Sequence, residues 1–142
     1  QKLDVFVKPF VVPAVSKLRW NGEQADAVDT YFARANELVR MIGGVTAFRL
    51  NEETPAPLED STMQSIRSVH RTWSGSVTAV TEGFPEERQA LLQKMNTALN
   101  AAVMSLEEYN KNPSAALLWQ AQTAVMEYAF AERQLLGAAA AG

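Results

Sequence analysis

From Ala25 onward apolar side chains recur every three or four residues, the spacing that turns one face of an α-helix toward a core. Val28, Tyr31, Phe32, Ala35, Leu38, Val39 and Ile42 form the first such stripe. Asn21 stands where an N-cap belongs and Gln24 three positions later completes a capping box, so a helix is expected to open there. Gly43-Gly44 is expected to close it, because glycine enters the left-handed cap conformation without steric cost. Val45 to Leu50 then reads as a turn or a short extended piece. A second stripe, Met63, Ile66, His70, Trp73, Val77 and Val80, follows Asp60 or Ser61 as cap. Gly75 inside it costs about 1 kcal/mol relative to alanine and marks a kink or a close helix contact. Gly83 stops that helix and Pro85 starts the next as its first residue, with Glu86 and Glu87 at the positive helix end. Leu92, Met95, Leu99, Ala102, Leu106 and Tyr109 run from there to Asn110-Lys111-Asn112-Pro113, which turns the chain into a last helix over 114–136.

Helices of this length joined by short connections pack as antiparallel neighbours, and no βαβ alternation competes. The expected fold is therefore all-α, an up-and-down bundle of four main helices in a single domain over 1–142. Residues 51–58, with Glu52, Glu53, Pro55 and Pro57, form its one clear linker. Ahead of the bundle, Pro9 and Pro13 forbid a regular helix across residues 1–20 but allow one that starts at Pro13. An extended apolar N-terminal arm followed by a short helix is expected, laid on its own core or docked on a neighbouring subunit.

The last helix is apolar on more than one side. Leu117, Ala121, Ala124, Tyr128, Ala131 and Leu135 make a narrow seam with small residues in its middle, where another helix can approach closely. Trp119, Met126 and Phe130 lie on a second side. A helix that is apolar all round is normally buried centrally, yet each helix of a four-helix bundle keeps an outer face. Something must cover the second side: the arm from Leu3 to Val15, or another subunit. Leu117, Trp119, Met126, Tyr128 and Phe130 are the expected interface residues.

Composition narrows the function classes. The 142 residues are 47% hydrophobic and 20% charged, too apolar for intrinsic disorder and long enough to bury a core. Thirteen Lys and Arg against sixteen Asp and Glu give a net charge of −3, with the basic residues scattered; no nucleic-acid footprint is present. With 0 cysteines there is no disulfide, no thiolate metal site and no cysteine nucleophile, and the compartment stays open. No apolar run reaches the ~20 residues of a membrane span. The chain opens on Gln1 without an initiator methionine or a signal-peptide pattern, and a processed or trimmed start is expected.

Candidate chemistry is sparse. His70 is the sole histidine, so neither a two-histidine metal site nor a di-iron Glu-x-x-His repeat can form within the chain. It is read either as a boundary histidine with satisfied nitrogens or as a pH-sensitive contact. Arg67, His70 and Arg71 cluster on one helical turn beside Trp73 and form a candidate anion site or a solvated basic patch. The adjacent carboxylates Glu52-Glu53, Glu86-Glu87 and Glu107-Glu108 diverge by about 100° on a helix and do not converge on a substrate. No phosphate loop, dinucleotide fingerprint or nucleophile elbow occurs. No catalytic residue, cofactor or metal ligand is assigned, and an enzyme is the least expected class.

Residues 97–136 resemble the carboxy-terminal hairpin of type III secretion needle and inner-rod subunits. The residues that carry the resemblance are Ala98-Leu99, Leu106-Glu107-Glu108-Tyr109, Asn112-Pro113-Ser114, Leu117-Leu118, Gln120 or Gln122, and Met126-Glu127-Tyr128. It implies two helices joined by an Asn-Pro turn and a non-enzymatic bacterial export subunit that polymerises through its last helix. The two-sided apolarity points independently to protein partners, with a homo-oligomer expected. The competing expectation is a monomeric or dimeric ligand-binding, sensor or export-chaperone bundle, with a ligand between helices lined by Tyr31, His70 and Trp73.

Overall fold

The computed structural model describes residues 22–52 and 56–141, and among them every regular element is helical. The arm expected over 1–20 and the capping residue Asn21 lie outside the described residues. Helix α1 spans Gly22–Leu50, α2 Asp60–Ser74, α3 Val77–Gly83, α4 Gln89–Lys111 and α5 Ala115–Ala141, with a 3₁₀ turn at Glu86–Arg88 leading into α4. With α2 and α3 acting as one interrupted helix, this is the expected all-α bundle of four main helices. α4 and α5 pack along most of their length, and α1 lies against α2, α3 and α5.

The stripes named from spacing alone form the core. Val28, Tyr31, Ala35, Leu38 and Ile42 of α1, Ile66 and Trp73 of α2, and Leu92, Met95, Leu99, Ala102, Leu106 and Tyr109 of α4 are all fully buried. Each buried leucine- or phenylalanine-sized side chain stabilises the fold by about 1.5–3 kcal/mol, so the α4 row alone outweighs any local propensity defect.

Four local expectations are corrected. Gly43-Gly44 does not end α1, and Val45 to Leu50 are helical. Ile42 and Thr46, on either side of the pair, are both buried, and Thr46 Oγ1 bonds the Ile42 carbonyl at 2.7 Å. Gln122 of α5 donates to the Gly43 carbonyl at 3.3 Å. Packing on both sides overrides a propensity cost of roughly 1 kcal/mol per glycine. The N-cap of α2 is Glu59, with no side-chain capping bond, in place of Asp60 or Ser61. The kink expected at Gly75 is a full break between α2 and α3, although Gly75 keeps right-handed backbone angles (φ −65°, ψ −18°). The next residue makes the break: Ser76 N–H and Oγ both bond the Trp73 carbonyl, at 2.9 and 2.6 Å, tightening the last turn. Pro85 precedes the 3₁₀ turn instead of opening α4, and Arg88 N–H donates to its carbonyl at 2.9 Å.

The linker is tied to α4 by hydrogen bonds. The Tyr109 hydroxyl donates to the Ala56 carbonyl at 2.6 Å and accepts from the Ala56 N–H at 3.1 Å, while Leu58 N–H donates to Asn110 Oδ1 at 2.7 Å. At the other hairpin, Asn112 N–H bonds the Glu108 carbonyl at 2.9 Å and Ser114 Oγ accepts the Leu117 N–H at 3.3 Å. One turn thus closes α4 and caps α5.

Candidate interaction surface

Successive residues of an α-helix rotate by about 100°, so residues seven and eleven apart lie nearly in line. On α5 this separates two faces. Leu118, Ala121, Ala124, Val125, Tyr128, Ala131 and Leu135 are buried against α4 and α1. Trp119, Met126 and Phe130 fall within about 40° of one another on the opposite face, and they are 59%, 66% and 60% exposed. Such large apolar side chains scattered singly would need no explanation, but here they form one line.

The five residues expected at an interface therefore divide. Trp119, Met126 and Phe130 stand outward. Leu117 is half-buried against the core, and Leu118 takes the deeper position. Tyr128 is a correction: it is fully enclosed and donates to Glu132 Oε2 at 2.9 Å, so no partner can reach it. Its place on the narrow seam makes it core.

Beside the exposed line runs a groove of ≈ 490 Å³ between α4 and α5. Ala90, Thr97, Ala98 and Ala101 of α4 and Phe130 and Ala131 of α5 line it, with Lys94 and Glu127 among its polar walls. Small side chains on α4 make the depression and Phe130 forms one bank. Met104, 68% exposed, continues the α4 stripe of Ala90, Thr97 and Ala101. Sequence reasoning missed it by following only the buried stripe of α4; the signal was a second run of small and apolar residues at positions 97, 101 and 104. Phe48 on α1 is also outward, at 61%.

The candidate anion site divides as well. Arg67 Nε and Nη2 hold both oxygens of Glu107 at 2.7 Å, a two-pronged bridge from α2 to α4. That hydrogen bond pushes the guanidinium further up and holds the Glu107 carboxyl below its ordinary range. His70 Nε2 lies 2.8 Å from Asn100 Oδ1 and its ring is 5.6 Å from that of Trp73. Arg71 is exposed and does not join them. The space expected to hold a ligand is filled by the protein: Tyr31 and Trp73 are fully buried with ring centroids 5.6 Å apart.

A largely buried polar cluster went unforeseen. Asn36 Nδ2 of α1 donates to Glu132 Oε2 at 3.1 Å, the same oxygen that accepts from Tyr128, and Tyr31 donates to Asn96 Oδ1 at 2.7 Å. Burial raises Glu132 above the ordinary carboxylate range, against the two hydrogen bonds that lower it. Burial also raises Tyr31 and Tyr128, with the Glu132 charge adding to both. These groups join helices, and Asn96 also walls a shallow surface groove with Val77, Thr81, Thr97 and Asn100.

Among the described residues no cluster of three His, Asp or Glu side chains converges as for a metal ion, and no helix is long and apolar enough to cross a membrane. Comparison with protein-family models, with characterised proteins and with solved structures returns no match.

Proposed function

We propose that the protein is a non-enzymatic structural subunit that assembles with other protein chains through the outer face of α5. One observation carries this reading. Trp119, Met126 and Phe130 are each about 60% exposed in a single line, while the opposite face of the same helix is complete within its own fold. A lone domain gains nothing in stability from such a line, and aromatic residues with methionine are the types enriched where proteins meet. The resemblance of residues 97–136 to secretion needle and inner-rod subunits supports the same helix as the contact element.

Sedimentation velocity of the purified chain over rising concentration tests it, with species above the 15.6 kDa monomer expected. Trp119→Asp or Phe130→Asp should return the protein to monomer with an unchanged far-UV circular dichroism spectrum, because both positions are outside the core. A wild-type chain that stays monomeric at the highest concentration sinks the proposal. Loss of helicity in both variants would instead mark the two residues as structural.

A further inference from the structure

Resting on the reading of α5 as a contact element, we infer that the occupant of this face is a second copy of the chain, paired antiparallel about a two-fold axis that passes near Met126 and Ala101. In the α4–α5 hairpin, residues equidistant from the turn at Pro113 lie side by side, which sets Ala101 beside Met126; consistently, Ala101 and Glu127 wall the same groove. A two-fold contact is self-complementary: whatever one copy presents at a given distance on one side of the axis must fit what lies at the same distance on the other side.

Two features of the face meet that condition about the same axis. Trp119 projects seven residues to one side of Met126, and on the other side lie Arg133 and the groove banked by Phe130 and walled by Thr97, Ala98 and Ala131. The axis therefore carries each exposed indole, about 10 Å from it at 1.5 Å per residue, to the other copy's groove. A groove of ≈ 490 Å³ has room for that ring, and Arg133 and Lys94 at its edge supply cations for the ring face. On α4, Glu108 and Lys94 are both exposed and stand seven residues on either side of Ala101, on the same stripe as Met104. The axis that seats the tryptophans brings each Glu108 opposite the other copy's Lys94. A parallel pairing would set Lys94 against the other copy's cations instead, whereas the antiparallel one brings like charges near each other only at Glu127, beside the axis.

The area is of the right order. Trp119, Met126, Phe130 and Met104, each 59–68% exposed, present roughly 500 Å² of apolar surface, taking about 200 Å² for a large side chain. With the polar rim this approaches the ~800 Å² per partner of a standard interface. Two methionines at the axis flanked by two seated tryptophans form the desolvated centre that such an interface requires.

Sedimentation equilibrium and crosslinking of the full chain test the pairing. Wild type should be a dimer. Trp119→Ala should weaken it by about thirty-fold or more, the size of a hot-spot truncation, and Ala101→Trp, which fills the groove from an exposed position, should weaken it as much. Glu108→Lys and Lys94→Glu should each weaken the dimer severalfold, and the double reversal should restore it. Because the chain has 0 cysteines, single cysteines report geometry cleanly. Met126→Cys should link to its copy with a short bis-maleimide, whereas Ala116→Cys, about 30 Å from its copy across the axis, should not. A dimer or polymer that tolerates both Trp119→Ala and Ala101→Trp, or that links through Ala116→Cys, or that the double charge reversal fails to restore, overturns this pairing while leaving assembly through α5 intact. A wild-type monomer overturns both.

Discussion

Glu132 is the side chain through which pH should act on this fold. Its carboxyl is raised above the ordinary 4.5 by burial, so the folded state binds its proton more tightly than the unfolded chain does. The stabilisation from this group is fully present below the unfolded value and is lost as pH rises through the folded one. Glu132→Gln keeps an oxygen that can accept from both Asn36 and Tyr128 and removes the charge. Its melting temperature should match wild type near pH 4 and exceed it at pH 7, as thermal melts across that range will read. Glu107 has the opposite sign: lowered by Arg67, it contributes stability above the ordinary carboxylate range that is lost as pH falls. The half-exposed setting of that pair keeps its contribution small. Tyr31→Phe tests the other arm of the cluster. It strands the buried Asn96 carbonyl oxygen and should cost about 1–3 kcal/mol in urea denaturation. Tyr31 and Tyr128 were legible as apolar members of their stripes. Their hydroxyl partners were not, since Asn96 is 65 positions from Tyr31 in the chain and only packing joins them.

Helices obey their local signals when nothing larger opposes them. Gly83 ends α3, and Asn112 to Ser114 turn the chain between α4 and α5, where spacing placed those boundaries. Gly43-Gly44 fails as a terminator because α1 is held from two directions, by buried Ile42 and Thr46 and by Gln122 of α5. A consequence follows for stability. A Cβ at Gly44 meets nothing within 4 Å and the position is helical, so Gly44→Ala should stabilise the protein by about 0.5–1 kcal/mol. An unchanged or lower denaturation midpoint would mean that Gly44 does not sit within a regular helix. The break at Gly75-Ser76 shows the reverse case. Glycine weakens the helix there, but the serine hydroxyl on the Trp73 carbonyl decides where it stops.

For the molecule as a whole, the decisive asymmetry lies within one helix. α5 carries apolar side chains on two faces, and among the described residues one of those faces is packed within the fold. The buried seam holds α5 to α4 and α1, so aspartate at Trp119 should leave the bundle standing while removing the proposed second contact. The groove beside Phe130 gives that second contact a shape, and the placement of Lys94, Glu108, Trp119 and Arg133 about one point gives it a direction. The same geometry weighs against a small-molecule site at Tyr31 and Trp73, whose rings fill the space a ligand would need.

Periodicity was enough to establish the helices, the core stripes and the outward line of Trp119, Met126 and Phe130, because side-chain direction along a helix follows from its 3.6-residue turn. Tertiary packing alone decided that α1 runs through its glycine pair. It also decided that Arg67 is committed to Glu107 and that Thr97, Ala98 and Ala101 form a groove with Phe130 and Ala131. Each of these depends on which residues from distant parts of the chain come to lie together. Spacing within one helix carries no record of its neighbours, and the energies of burial and pairing between helices exceed the local preferences that spacing expresses.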